Sequence, residues 1–460
     1  MAKQKERFSW WVKEPSFYKR LALLALPMAG QNIISFLVSL ADNVMVAQLG
    51  DEAVGGVYVV NQIQNVLHML VLGLGAALVI LAAQYFGKGD VKSVKTLCAT
   101  ALRTAIGAGL LLLLVMGLFG RTVLGILTDQ PGVIDAGMEY LSYIMWTYVF
   151  FSMSSVLLAG LRCAGTVHVG LIISLFTVIT DVGLNYVMIF GKLGFPAMGI
   201  SGAAASTLIS RILEFVLVLF YVLKKDEKLK LRVKDFLLHN GKLFRDFFVY
   251  GFPVILGDFL WGLGGVAQAA IIGRQGDSVI AASAMTMNIF QIFAVFVYCT
   301  SGAGSLMVGQ EIGRDNFDLA ERYTKTLQVV YVMVGVASSL LLLSLRQVAL
   351  SMYTKVDPQT LHYAGQFLLV MSVMLVGTSY QMSSLQIVRA GGATHFVLIN
   401  DLVFVWLVVI PLSCLMAFVL KGPPWAIFAC LKCDQILKCV VAAVKVNRFK
   451  WMKNLTGQME

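Results

Sequence analysis

Four carboxylates lie inside long apolar runs, none with a Lys or Arg one turn away: Asp42 in SFLVSLADNVMVAQLG, Asp181 in ITDVGLNYVMIFG, Asp258 in PVILGDFLWGLGG and Asp401 in INDLVFVW. A stranded anion is costly in apolar surroundings, so each must hold a proton, bind a cation or meet a cationic side chain from elsewhere in the fold. That is the chemistry of a proton or Na⁺ site, in which occupancy decides whether burial is tolerated. The alternative for each is a packing role, capping a neighbouring helix or bonding Ser and Asn in a bundle. Asp181 and Asn185 are four residues apart and share a helix face. With Asp42 they offer several oxygens to one cation, H⁺ or Na⁺, provided the two helices meet. Thr180 is a further oxygen donor unless its hydroxyl bonds its own helix backbone. Asp258, Trp261 and Asp401 are the candidates for substrate contact in the second half.

The elements that must position these groups follow from composition. Of 460 residues, 58% are hydrophobic and 13% charged, and mean hydropathy is +0.80; soluble domains carry about 25% charged residues. This is the composition of a polytopic membrane protein. Twelve apolar segments, from 21–47 to 424–444, are separated by Gly, Pro and charged residues, and each is long enough for a helix to cross a hydrocarbon core. The basic N-terminus lacks a short apolar core followed by small residues, so no cleaved signal peptide is expected. Lys and Arg concentrate in the tails and even-numbered loops, which places both termini in the cytoplasm. The net charge of +11 then reflects orientation and anionic lipid headgroups rather than nucleic acid. The cysteines read as packed, reduced thiols: CLKC at 430–433 has no second pair to complete a metal site.

The densest basic stretch, 224–246, divides the chain into a first lobe, 1–223, and a second, 247–460. A shift of 226 residues superimposes Pro27 on Pro253, Gly50-Asp51 on Gly276-Asp277, Gln84 on Gln310 and Gly87 on Gly313; a shift of 227 puts RCAGTVH on RAGGATH. The halves therefore read as a duplication. Six spans in each keep the same orientation, so a pseudo-two-fold axis along the membrane normal is expected, with a cleft between the lobes. Acid and amide exchange places between halves: Asp42 falls on Gln268 and Asp258 on Asn32. Arg211 and Glu214, three apart, read as an internal ion pair, and Asp434 and Lys438, four apart, as another. Lys432 is a weaker candidate for substrate contact, and His68 reads as a helix contact. Phosphate loops, HExxH and dinucleotide turns are absent from the sequence, so an enzyme or ATP-driven pump within this chain is not expected, and no cofactor beyond the coupling ion.

Over nearly its whole length the chain resembles the multidrug and toxic compound extrusion (MATE) family. PMAGQNIISFLVSLADNVMVAQLG opens the first lobe, PVILGDFLWGLGG the second, LRCAG follows span four and VRAGGATH span ten. The resemblance implies an all-α fold of twelve helices in two six-helix lobes. It also implies alternating access and export of organic cations and other toxic amphiphiles in exchange for H⁺ or Na⁺. It matches Asp42 to the family's first-helix acid, Asp181 and Asn185 to its fifth-helix Asn/Asp positions, and Asp258 to a seventh-helix acid of part of the family. Two departures stand out: the order Asp181 then Asn185, and Ala393 where related sequences read Asp. The rival from the same superfold is a flippase for lipid-linked saccharides, which would need a cationic cleft; Arg211, Lys432 and Lys438 are the span cations counted for it. A non-transporting receptor or subunit would be expected to carry an appended domain. The partners expected are small-molecule substrates and lipids around a monomer in the plasma (inner) membrane.

Overall fold

A computed structural model describes residues 11–457 apart from 193, 352, 354 and 355. Helices dominate and no strand occurs among the described residues. In chain order they are α1 Pro15–Ala47, α2 Asp51–Lys88, α3 Val91–Leu127, α4 Pro131–Cys163, α5 His168–Phe190, α6 Gly199–Lys224, α7 Gly241–Ile272, α8 Asp277–Gly313, α9 Phe317–Ser351 and α10 Pro358–Ala390. They are followed by α11 Thr394–Val419, α12 Pro424–Leu431 and α13 Asp434–Asn447. Eleven described helices are long and apolar enough to cross a membrane, and the protein is a multi-pass integral membrane protein. Large apolar side chains are left facing outward, Leu118 and Ile126 more than three-quarters exposed, as a lipid surrounding allows.

The twelfth expected span, 424–444, differs from a single helix. It is the pair α12 and α13, parted where Lys432 leaves helical backbone (φ −117°, ψ 6°). At 1.5 Å per residue neither piece alone reaches across about 30 Å of hydrocarbon. The break falls beside Lys432, which bonds Gln268, while Asp434 and Lys438, paired with each other, lie within α13. In α11, two wide-turn stretches, Val403–Val409 and Leu415–Val419, flank Pro411. Proline offers no N–H to a regular ladder, and wider turns accommodate the loss.

The duplication is legible in the backbone. Gly50 and Gly276 share φ near 103° and 102°, each directly before a helix, and Gly165 and Gly392 take φ of 72° and 87°, each just past a helix end; these are repeat partners in positive-φ conformations that only glycine adopts freely. Where α2 crosses α8 the contact is reciprocal: a Cβ on Gly87 would strike the Gln310 carbonyl, and one on Gly313 would strike that of Gln84. The two repeat pairs found in the sequence thus meet each other.

The chain forms two compact units. One comprises Gly30–Ala82 and Asp90–Ile255; the other, among described residues, 11–29, 83–89 and 256–457. These depart from the lobes 1–223 and 247–460 at parts of α1, α2 and α7. For α1 the reason is its early packing: Phe17 lies on Tyr323 at 4.7 Å between ring centroids, Arg20 bonds Gln310 and approaches Glu311 at 3.7 Å. The first-named unit is centred on Val60, Leu124, Ile144 and Ala204. The second is centred on Ala294, Leu375 and the stacked Phe367–Phe428 pair, 4.3 Å apart.

Candidate functional site

In the unit that holds α3 to α6, α1 brings Asp42 to the face of α5 that carries Asp181 and Asn185. The Asn185 amide Nδ2 donates to Asp42 Oδ1 at 2.7 Å. The Ser206 hydroxyl, from α6, donates to Asn185 Oδ1, so a relay runs Ser206 to Asn185 to Asp42. Asn185 and Ser206 are essentially fully buried. Asp181 faces Asp42 on one side and Ser210 on the other. Its Oδ1, and the Ser210 hydroxyl, are buried without a hydrogen-bond partner among the described residues. Buried polar atoms are almost always bonded, and here the carboxyl and the hydroxyl that face each other across this gap fall short of a full hydrogen bond.

The nearby cation does not fill it. Arg211 is bonded to Glu214 at 2.7 Å, as expected from their spacing, and lies 5.2 Å over the Phe151 ring, whose other contact is a stacked His68 at 5.1 Å. Among the described residues neither Asp42 nor Asp181 makes an ion pair of its own. Thr180 is not brought to the cluster: its hydroxyl donates to the Phe176 carbonyl at 2.9 Å, the helix-backbone bond that competes with any ligand role.

The other unit answers the same electrostatic problem differently. Arg389, at the end of α10 and 8% exposed, reaches Asp258 Oδ1 and Asp401 Oδ2, both at 3.3 Å. Lys438 reaches Asp401 Oδ1 at 2.9 Å and Asp434 Oδ2 at 3.3 Å. Acid and base alternate as Asp258, Arg389, Asp401, Lys438, Asp434. Lys432 donates to Gln268 at 3.0 Å, the repeat partner of Asp42. Trp261 is 58% exposed and shares with Asp401 a shallow notch also lined by Leu260 and Trp406. Sequence reading did not single out Arg389, because VRAGGATH reads as a turn outside the spans. The signal that could have found it was the apolar QIV before it, which lets α10 bury its last turn. The cation count of the spans is thereby corrected to include Arg389.

Among the described residues no three His, Cys, Asp or Glu side chains cluster as a metal site. The α5 cluster instead combines two acids, an amide and hydroxyls, a donor set suited to a proton or a hard monovalent ion.

Known proteins supply the remaining comparison. A probable multidrug resistance protein NorM of Thermotoga maritima is 29% identical over 303 residues, 66% of this chain and 65% of that protein. The probable multidrug resistance protein YoeA of Bacillus subtilis is 22% identical over 87% of both chains. Among solved structures, a variant of the Vibrio cholerae MATE transporter VcmN superposes with a TM-score of 0.86 at 17% identity, over 94% of this chain and 97% of that one. An outward-facing multidrug resistance MATE family transporter of the MOP superfamily gives 0.85 at 16%, over 96% and 99%. The MatE family profile matches residues 27–187 and 253–415, one match in each repeat, and the chain belongs to that family, the multidrug and toxic compound extrusion transporters.

Proposed function

We propose that this transporter is a cation-coupled antiporter that expels amphiphilic small molecules, organic cations among them. In this reading Asp42 and Asp181 carry the coupling ion, and Asn185 and Ser206 position them. The observation that carries it is the pairing of two facing acids in a place where the only neighbouring cation among the described residues is taken by Glu214. Two carboxylates so placed are costly when both are ionised, so uptake of one positive charge changes the energy of the helices that bear them. Coordination also favours H⁺ over Na⁺ here: the Asn185 oxygen is engaged by Ser206 and its nitrogen faces Asp42, which leaves few oxygens for a metal ion. Efflux would draw on about 2.3 kcal/mol per charge per 100 mV, together with the ion gradient. Substrate and ion affinities would be linked reciprocally.

The names of the relatives in Thermotoga and Bacillus support multidrug efflux. The flippase alternative fits less well, since Arg389 and Lys438 are bound to carboxylates and Lys432 to an amide, so no unpaired cation cradle is evident among the described residues. The proposal includes residence in the plasma membrane, both termini cytoplasmic, as a monomer.

Asp42→Asn keeps an acceptor for the Asn185 amide and removes only the titratable charge. The expected result is a folded protein that no longer accumulates a fluorescent organic cation in everted vesicles under a pH gradient. Normal accumulation by that variant would refute the assignment, and accumulation driven by a Na⁺ gradient alone would refute H⁺ as the ion.

A further inference from the structure

The segment between α6 and α7 is more ordered than its composition suggests. The buried Asp226 carboxylate accepts from the backbone N–H of Leu229 at 2.9 Å and Lys230 at 3.1 Å, tightening a turn. Leu229 and Leu231 are then buried, at 1% and 3% exposure. A short 3₁₀ turn, Val233–Leu237, is held against α3: Lys95 donates to Asp235 at 2.8 Å and to the Lys230 carbonyl at 2.7 Å, and Arg103 bonds the Leu238 carbonyl. Lys228 donates to the Ala164 carbonyl at the end of α4 at 2.9 Å. The segment is thus fastened to the first turns of α3 and the end of α4, which share one side of the membrane by chain alternation.

What this platform presents outward is unusual. Val233 is 67% exposed and Leu237 81%, although both sit on a turn whose neighbours were buried with care. Around them Lys224, Lys225, Lys230, Arg232, Lys234 and Arg245 are exposed. The acids of the segment only partly offset them: Asp226 caps the turn from a buried position, Asp235 is taken by Lys95, and Glu227 alone is exposed among the six cations. A merely solvated basic loop would have no cause to fix its backbone so firmly while turning two aliphatic side chains out among the cations. A membrane interface has such a cause, because aliphatic tips enter the acyl boundary while Lys and Arg lie at phosphate depth.

We infer that residues 224–245 form a docking surface for anionic phospholipid headgroups, with Val233 and Leu237 inserted beside them. This goes beyond the transport reading and does not depend on it. Charge complementarity selects the occupant, since phosphatidylglycerol-like lipids present an accessible phosphate without a compensating amine.

The test uses the full chain in nanodiscs of phosphatidylcholine containing a minor share of phosphatidylglycerol, with lipid retained on the protein after detergent extraction measured by native mass spectrometry. The wild type should retain phosphatidylglycerol selectively. Lys230→Gln/Arg232→Gln/Lys234→Gln should reduce that retention on the order of a hundredfold, given roughly fivefold per surface cation. Val233→Ser/Leu237→Ser should reduce it with all charges intact. Lys450→Gln/Lys453→Gln, which removes exposed cations elsewhere, should change nothing. Equal retention of phosphatidylcholine, equal loss in the tail control, or an undiminished signal in the triple variant overturns the inference. None of these outcomes bears on Asp42, so the two proposals fail separately.

Discussion

Arg389 carries the sharpest energetic expectation. Replacing it with Gln removes the guanidinium from between Asp258 and Asp401. Asp401 retains Lys438 at 2.9 Å, whereas no other ion pair to Asp258 occurs among the described residues. Breaking a fully buried pair costs about 3–5 kcal/mol, and an exposed one about 0–1 kcal/mol. The Asp258 side chain is 34% exposed and that of Arg389 10%, so the loss should fall between, at about 2 kcal/mol. For a unit of this size that lowers the apparent Tm on the order of 4–8 °C, measured by tryptophan fluorescence in detergent at one fixed heating rate. Arg389→Gln/Asp258→Asn removes the stranded charge along with its partner and should recover about half the loss. If coupling runs through Asp42 and Asp181 as proposed, its efflux should also persist. Two results would refute the reasoning: additivity of the two substitutions within about 0.5 kcal/mol, or a folded double variant that no longer transports.

The contact between α2 and α8 makes Gly313→Ala costly, about 1–3 kcal/mol of overpacking, because the obstacle is the Gln84 backbone. Gly183→Ala in α5, with nothing within 4 Å of its Cβ, should be neutral or slightly stabilising, and thermal unfolding compares the two. At Asp235 burial would raise the carboxyl, but the hydrogen bonds from Lys95 and the Arg232 backbone, with the charges of Lys95 and Arg232, hold it below its ordinary value. A lowered native value stabilises above the unfolded value of about 3.9 and is lost as pH falls through the native one. Amide protection across 229–238, corrected for the intrinsic pH dependence of exchange, should therefore be steady from neutral pH to about 5 and fall specifically below about 4, a fall that Asp235→Asn abolishes.

The fold was legible because its signals are spread over many residues. Eleven apolar segments became helices, and Gln84, Gly87, Gln310 and Gly313, legible in the sequence only as repeat partners, meet where α2 crosses α8. The Asp42, Asp181 and Asn185 constellation was also readable, since spacing of four fixes a common face and an acid in an apolar run demands an explanation. Arg389 was not readable. Whether a cation at a helix end turns inward depends on what α7 and α11 offer it, which is a tertiary fact. The break at Lys432 was hidden because no Gly or Pro marks it in the sequence. Thr180 lay beside Asp181 in sequence and yet turned to Phe176, since successive helical residues point about 100° apart.

Comparing the repeats position by position gives these differences a direction. At the shift of 227, Lys438 falls on Arg211, and at 226, Gln268 falls on Asp42. In one unit the helix cation is satisfied by Glu214 one turn away, so Asp42 and Asp181 are left without one. In the other, the equivalent cation reaches Asp401 and Asp434, Arg389 closes the remaining gap, and the place of Asp42 is taken by an amide bound to Lys432. Groups in fixed ion pairs hold the same charge in every state of a cycle, and a site whose occupancy never changes contributes nothing to linkage. A transporter driven by one ion needs only one site at which charge comes and goes. If the duplicated halves began alike, compensating the acids of one copy would leave the gradient acting through the other alone. On the proposed coupling through Asp42 and Asp181, two carboxyls hold at most two protons and the ion-paired acids of α7 and α11 add none, so a measured ratio above two protons per substrate would refute that reading.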